Sequence, residues 1–463
     1  MLILLAMLLF SGMASAQVVI KGNVYGGGEL GKVTQSTTVT INGGTVESTV
    51  YGGGQGGTDD EKYGLVQGNT KVTMTGGVVE RSIYGGGELG SVGTFSDFDT
   101  AVYVHQDAPN DTVYVPKTCA SGTGLAQVTV SGGSVGQSGS LMPWNSHDPD
   151  DDDRGWVFCG GAGYVDSVTF PKVIAMAVVN TTHLEISGSA LVTASVYGGC
   201  ENGLVLDSTF VEIKGGQIGT GFKEKEKVNG IWVGTFAGAY DEEDWNKAIQ
   251  AVKDGSIGTA LAEDGDLHNK FYACDAWDYG DNHTPQQYNV YDIFYGEAGY
   301  TPLHTALEGT NGQTFFGNVF GGGSGFYPLK PGVWRRSAGR VNGNTRVEIT
   351  GGHILTSVYG GNEITDVMGK ATVKMSGGTI GVPRLVSVIN AHPVLCNLFG
   401  AGKGDQRTWA NKWTNVAETN VEFTGGTIFG SIFGGGEDGH VLGNTYLTVK
   451  EDDNKEILIG TYG

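Results

Sequence analysis

The chain has 463 residues, 28 Lys and Arg against 49 Asp and Glu (a formal net charge of −21), 80 glycines and five cysteines. That balance repels a phosphate backbone or an anionic bilayer, which sets nucleic acid and membrane surfaces aside as partners. Five cysteines in this length are too few for a disulfide scaffold, and the glycine spacing has to decide between disorder, collagen and a built repeat.

Residues 1–10 are almost wholly apolar, and Ala14-Ser15-Ala16 follows them before Gln17. This is the pattern of an h-region with an A-x-A cleavage site, so 1–16 is expected to be a signal peptide and the mature chain to be exported. No later apolar run reaches the roughly 18 residues needed to cross a bilayer, so no membrane insertion is expected.

From residue 24 onward one motif recurs: Val24-Tyr25-Gly26-Gly27-Gly28, Val50-Tyr51-Gly52-Gly53-Gly54 and Ile83-Tyr84-Gly85-Gly86-Gly87. Later copies carry Phe158, Tyr197, Phe320, Tyr359, Phe399 and Phe433 at the aromatic position. A second block, as in Thr38-Val39-Thr40-Ile41-Asn42-Gly43-Gly44, precedes most of them, and a third, Gly-x-Val-x-Gly-Asn-Thr, occurs at Gly64, Gly339 and Gly439. The uninterrupted period is 52 − 26 = 26 residues. A fixed period of that length, with three short strand-like blocks of alternating apolar residues, predicts a solenoid.

The fold expected is all-β, a right-handed parallel β-helix of about nine coils. Coils 0 to 5 fall in 17–221 and coils 5 to 9 in 318–463, where the sequence stops inside a coil and is expected to be truncated. The glycines are expected at corners that demand positive φ. Stacking should turn the aromatics into a structural ladder, and Asn69, Asn344 and Asn444 into another at a corner.

With coils numbered from zero at Tyr25, Glu29, Glu88, Glu201, Glu363 and Glu437 follow the triplet on even coils only. Insertions prefer odd coils, with 91–124 on coil 2 as the exception, as expected if bulky loops cannot stack at the coil spacing. The largest, 222–317, is long enough for a small α-containing subdomain, and the acidic start at Asp241 followed by Trp245, Ile249 and Val252 on one face predicts a helix there.

All eight tryptophans lie in or beside insertions. Trp144, Trp156, Trp232, Trp245 and Trp277 are the candidate ligand-binding residues, set against the plainer role of pinning their own loops. Alternating carboxylates in the run after His147 make Asp148, Asp150 and Asp152 a candidate Ca²⁺ site without the EF-hand glycine or distal Glu. Outward positions of the second block place Thr40, Thr73, Thr129, Glu185, Glu212, Glu348, Lys374, Glu422 and Thr448 in one column, where neighbouring carboxylates could resemble a glycosidase pair. Lys214 and Arg346 lie diagonally to neutralise them. Cys159 and Cys200 occupy one corner on adjacent coils, two positions out of register, which leaves a disulfide open.

The unit Thr-x-Val-x-Ile-x-Gly-Gly-x-Val, then Ser/Thr-Val-Tyr-Gly-Gly-Gly, behind a signal peptide, resembles repeat-rich surface proteins of anaerobic gut and oral bacteria, of the adhesin-like, pectate-lyase-like β-helix class. The resemblance covers the strand blocks, about half of the chain. It implies display at the cell surface or outside the cell, with glycan or protein ligands met by edge loops. A polysaccharide lyase or glycoside hydrolase on the same scaffold is the alternative, although no catalytic motif of those enzymes maps onto this sequence.

Overall fold

The computed structural model describes residues 18–58, 60, 62–103, 111–136, 155–164, 173–174, 176–219, 317–325, 337–381, 397–404, 414–450 and 457–460, together with strands at 221–228, 231–236, 272–273, 278–279, 285–286 and 313–315. These residues are all-β and mostly parallel strands in stacked sheets, the arrangement of a β-solenoid, with no helix among them. The helix expected near Trp245 lies outside the described residues.

Each strand block becomes its own column of pairing. The second block, with short strands such as Thr45–Val46 and Val78–Val79 that follow its Gly-Gly pairs, builds a 16-stranded sheet in which Val39, Val72, Val128, Leu184, Val211, Val347, Val373, Val421 and Leu447 are successive partners. The aromatic block builds a nine-stranded sheet, from Val24–Tyr25 to Ile432–Phe433. The third block contributes bridges such as Val33 to Val66 to Val92, and Val179 to Val205 to Val341 to Val367.

Alternation within each block sorts the side chains. Val39 and Ile41 of Thr37–Ile41 are buried while Thr38 and Thr40 are exposed. The main core lies between the two sheets, where Val72, Val128, Val211, Val157, Val196 and Val358 are fully excluded from solvent. Burying such a side chain stabilises by about 1.5–3 kcal/mol, and stacking repeats the gain on every strand. Thr hydroxyls of Thr37, Thr209 and Thr345 donate across this core to the carbonyls of Gly52, Gly321 and Gly360 at 2.5 Å, so the buried oxygens are satisfied. Where Ala126 replaces that Thr, Cys159 replaces the facing glycine, and its thiol donates to the Ala126 carbonyl at 3.4 Å.

The aromatics stack face to face with ring centroids 4.2–5.1 Å apart, and Tyr51 through Phe399 are at most 4 % exposed. This is a structural ladder. The corner asparagines behave likewise, since Asn69 Oδ1 accepts from Leu125 N at 2.9 Å and Asn344 Oδ1 from Lys370 N at 2.8 Å.

The expected role of the glycines needs correction. Positive φ belongs to the second glycine of the Gly-Gly pairs, such as Gly77 (φ 88°) and Gly352 (φ 83°), and the triplets do not share it. A Cβ on Gly86 would lie 2.8 Å from the Gly161 nitrogen, and one on Gly85 would collide with the Cys159 carbonyl. At Gly52, Gly53, Gly85 and Gly86 the backbone of the next strand passes too close for a Cβ without a shift, although Cys159, Cys200 and Ala401 take triplet positions on other coils.

The insertions are hung from this stack. Within 91–124 and its neighbours, Phe95–Ser96 pairs antiparallel with Thr118–Cys119, and Asp99–Tyr103 with Asp111–Val115, which Val173–Ile174 extends. In the large insertion Gly221 pairs antiparallel with Phe315, and Gly219 and Gly317 lie side by side, so the chain leaves and re-enters at one point.

Candidate ligand-binding cleft

The outward column of the long sheet runs in register as expected: Thr129, Glu185, Glu212, Glu348, Lys374, Glu422 and Thr448 are successive partners. Lys214 Nζ lies 2.8 Å from Glu185 and 3.1 Å from Glu212, Lys374 Nζ lies 2.9 Å from Glu422, and Arg346 pairs with Glu348. His183 Nε2 is 2.6 Å from Glu212, and the imidazole stacks on Phe210, which Arg346 covers from the other side. Hydrogen bonding to Lys214 holds the Glu185 carboxyl below the usual carboxylate range. Burial pushes Glu212 up, but hydrogen bonds from His183 and Lys214 outweigh it, and Glu212 too lies low. Both are therefore carboxylates at neutral pH, whereas a glycosidase pair keeps one of the two protonated as general acid.

Cys159 and Cys200 are both buried free thiols. Their side chains enter different cores: Cys159 packs with the main cluster, and Cys200 with the third-block valines, where it donates to the Ala177 carbonyl at 3.6 Å. Burial pushes Cys159 strongly up and Cys200 to about 12, so neither is a reactive thiolate.

Among the tryptophans, Trp156 is half-buried and packs against the aromatic ladder, its backbone N–H donating to Ser82 Oγ at 3.2 Å. Trp232 lies in Ile231–Phe236 of the large insertion. Trp144, Trp245 and Trp277 lie outside the described residues, as do Asp148, Asp150 and Asp152. Among the described residues no group of three or more His, Cys, Asp or Glu is placed to hold a metal ion, and no helix is long and apolar enough to cross a membrane.

The cleft that the structure does describe lies beneath the 91–124 insertion and has a volume of about 200 Å³. Its floor is the outward x position of the Gly-x-Val block on successive strands, Lys32, Leu65 and Ser91, continued by Val178. Phe95, Phe98 and Pro116 of the insertion roof it, and Lys62 stands at its side. The roof is anchored: Phe95 packs on a small core of Val113, Val115, Val178 and Leu204, Phe98 stacks on Tyr114 at 5.4 Å, and Thr94 Oγ1 donates to the Gln67 carbonyl at 2.8 Å.

Two non-glycine residues among those described have positive φ, Asp97 (56°) and Ala177 (51°). Each immediately precedes a residue of this cleft, Phe98 and Val178. Asp97 is held there by Thr118 Oγ1, which donates to Oδ2 at 2.9 Å. Left-handed backbone at a residue with a Cβ costs on the order of 1 kcal/mol or more and collects where a site needs a side chain aimed.

Lys32, Lys62, Phe95 and Phe98 were not among the residues singled out from the sequence. The available signal was the x column of the Gly-x-Val block, together with the one insertion that breaks the odd-coil rule. Comparison of the chain with known protein families, with curated proteins and with solved structures returns no match.

Proposed function

We propose that this is an exported binding protein displayed at the cell surface, a right-handed β-helix of about nine coils that meets glycan or protein ligands through its edge loops. Right-handed winding is the hand that nearly all parallel strand crossovers take. The observation that carries the binding reading is the cleft beneath 91–124, a concave site with aromatic walls and a few polar groups, whose two strained residues aim its lining. The charge-paired Glu185 and Glu212 favour this reading over a polysaccharide-cleaving enzyme, because neither carboxyl is kept in its acid form.

A glycan array probed with the secreted chain, run beside a polysaccharide digestion assay, tests it. The reading expects retention of particular glycans without depolymerisation, and loss of that retention in Phe98→Ala. Depolymerisation that disappears in Glu212→Gln would replace it with the enzyme.

A further inference from the structure

The cleft has a charge opposite to that of the molecule around it. In a chain of net charge −21, two of its lining side chains are lysines and none is a carboxylate. Lys32 and Lys62 are exposed, and neither ammonium makes an ion pair among the described residues. Lys117, Lys214, Lys370, Lys374 and Lys403 each stand within ion-pair distance of a carboxylate, whereas Lys32 and Lys62, like the exposed Lys21, Lys71 and Lys450 elsewhere, do not. What sets these two apart is their place: Lys32 comes from a Gly-x-Val block and Lys62 from the loop after the Tyr51 triplet, yet both border the same space.

The same space is lined by Phe95 and Phe98, half-buried, with Phe98 stacked on Tyr114. The volume of about 200 Å³ lies below the roughly 300–1,000 Å³ of a site for a drug-sized molecule and suits a single ring. A matching ligand therefore has an apolar face for the phenyl rings and a negative charge at its rim for the ammoniums.

We propose that the cleft binds an anionic saccharide unit, a pyranose carrying a carboxylate or sulfate group, as one residue of a longer glycan. The inference rests on the binding reading above and adds the charge of the ligand. Lysine is a point charge without the fork of arginine, so the site recognises the negative charge and leaves carboxylate and sulfate less sharply distinguished. The ammoniums themselves supply the positive charge, so no bridging metal ion is required.

The test is isothermal titration of the secreted chain with three oligosaccharides of equal length, one carboxylated, one sulfated and one neutral, each with and without a chelator. The proposal expects at least one anionic arm to bind about tenfold more tightly than the neutral arm, insensitivity to the chelator, and weakening between 0.05 and 0.5 M salt. Lys32→Gln and Lys62→Gln should each weaken the anionic arm about threefold, and Lys32→Glu/Lys62→Glu should abolish it while circular dichroism stays unchanged. Equal binding of the neutral and anionic arms, unaffected by the lysine variants, overturns the charge inference and leaves the cleft a glycan site. Binding of no arm, or binding that Phe98→Ala and both lysine variants leave unchanged, overturns the inference together with the cleft reading.

Discussion

The Tyr84 hydroxyl donates to Glu201 at 2.6 Å across 117 residues of sequence, reaching past the intervening strand to the second one along the stack. Tyr197 does the same to Glu363 at 2.8 Å, and Tyr25 and Tyr359 pair in the same way with Glu88 and Glu437. Tyrosine on an even strand thus meets glutamate two strands later, while three of the four odd strands carry Phe158, Phe320 and Phe399. The alternation has an electrostatic reason. Carboxylates on adjacent strands about 4.8 Å apart would repel by about 3 kcal/mol at an effective dielectric of 20, and doubling the spacing halves that. The intervening positions are uncharged Gln55, Ala162 and Ser324, or the opposite charge in Lys403.

Removing one hydroxyl should therefore be felt strongly. Tyr197→Phe takes one donor from Glu363, which is 1 % exposed and keeps the Ser324 hydroxyl at 2.9 Å and the Lys403 ammonium at 3.8 Å, and a hydrogen bond to a charged group is worth about 1.5–3 kcal/mol. Chemical denaturation should show a loss of that size. Adding Glu363→Gln to Tyr197→Phe should not recover it, because that change also takes the neighbouring carboxylate from the buried Lys403 ammonium.

Glycine substitutions separate the two roles described above. Gly85→Ala should destabilise by several kcal/mol, since its Cβ would collide with the next strand's backbone. Gly43→Ala, at a position with nothing within 4 Å and no positive φ, should change the thermal midpoint little. Equal losses in the two variants would show that the triplets are not governed by the stacking distance.

The outward carboxylates predict how stability responds to acid. Glu185 and Glu212 have folded-state values below their ordinary value of 4.5, so their contribution is fully present above that value and is lost as pH falls through the lower folded values. Partial exposure limits the combined effect to about 1 kcal/mol. Denaturation curves from pH 6 down to pH 3 should fall less steeply in Glu185→Gln/Glu212→Gln than in the parent, and the double variant should keep its β-rich circular dichroism at pH 7.

Thiol chemistry supplies an independent check on the two cores. Alkylation of the native protein at pH 8, read by peptide mass, should leave Cys159 and Cys200 unmodified and label both after unfolding. A mixed peptide linking the two cysteines would contradict the free thiols seen here.

Much of the stack was legible in the sequence, because period-2 alternation in Val39/Ile41 and Val72/Met74 fixes which face is buried, and identical blocks have no competing register. The Glu parity was visible too, but its cause was not. The partners are 63 to 166 residues apart, and exchange of Tyr for Phe in an aromatic ladder gives no local sign that a hydroxyl is needed. Glycine roles were misassigned for a related reason: the atom that a Gly85 side chain would strike belongs to residue 159, so no local rule about turns reveals it. The cleft escaped notice because its lining joins a repeat position, Lys32, to residues such as Phe98 that belong to no repeat.

The central claim is that the parallel stack stands by itself, with the insertions hung from it and the cleft built on its early strands. It is tested most directly by replacing 222–316 with a short Gly-Ser link, at the point where Gly219 and Gly317 already lie side by side. The account predicts an unchanged β-rich circular dichroism spectrum, a single cooperative unfolding transition within a few degrees of the parent, and the same affinity for whichever oligosaccharide the intact cleft binds. A protein that loses its β signal, or unfolds in separate steps on either side of the link, would contradict it.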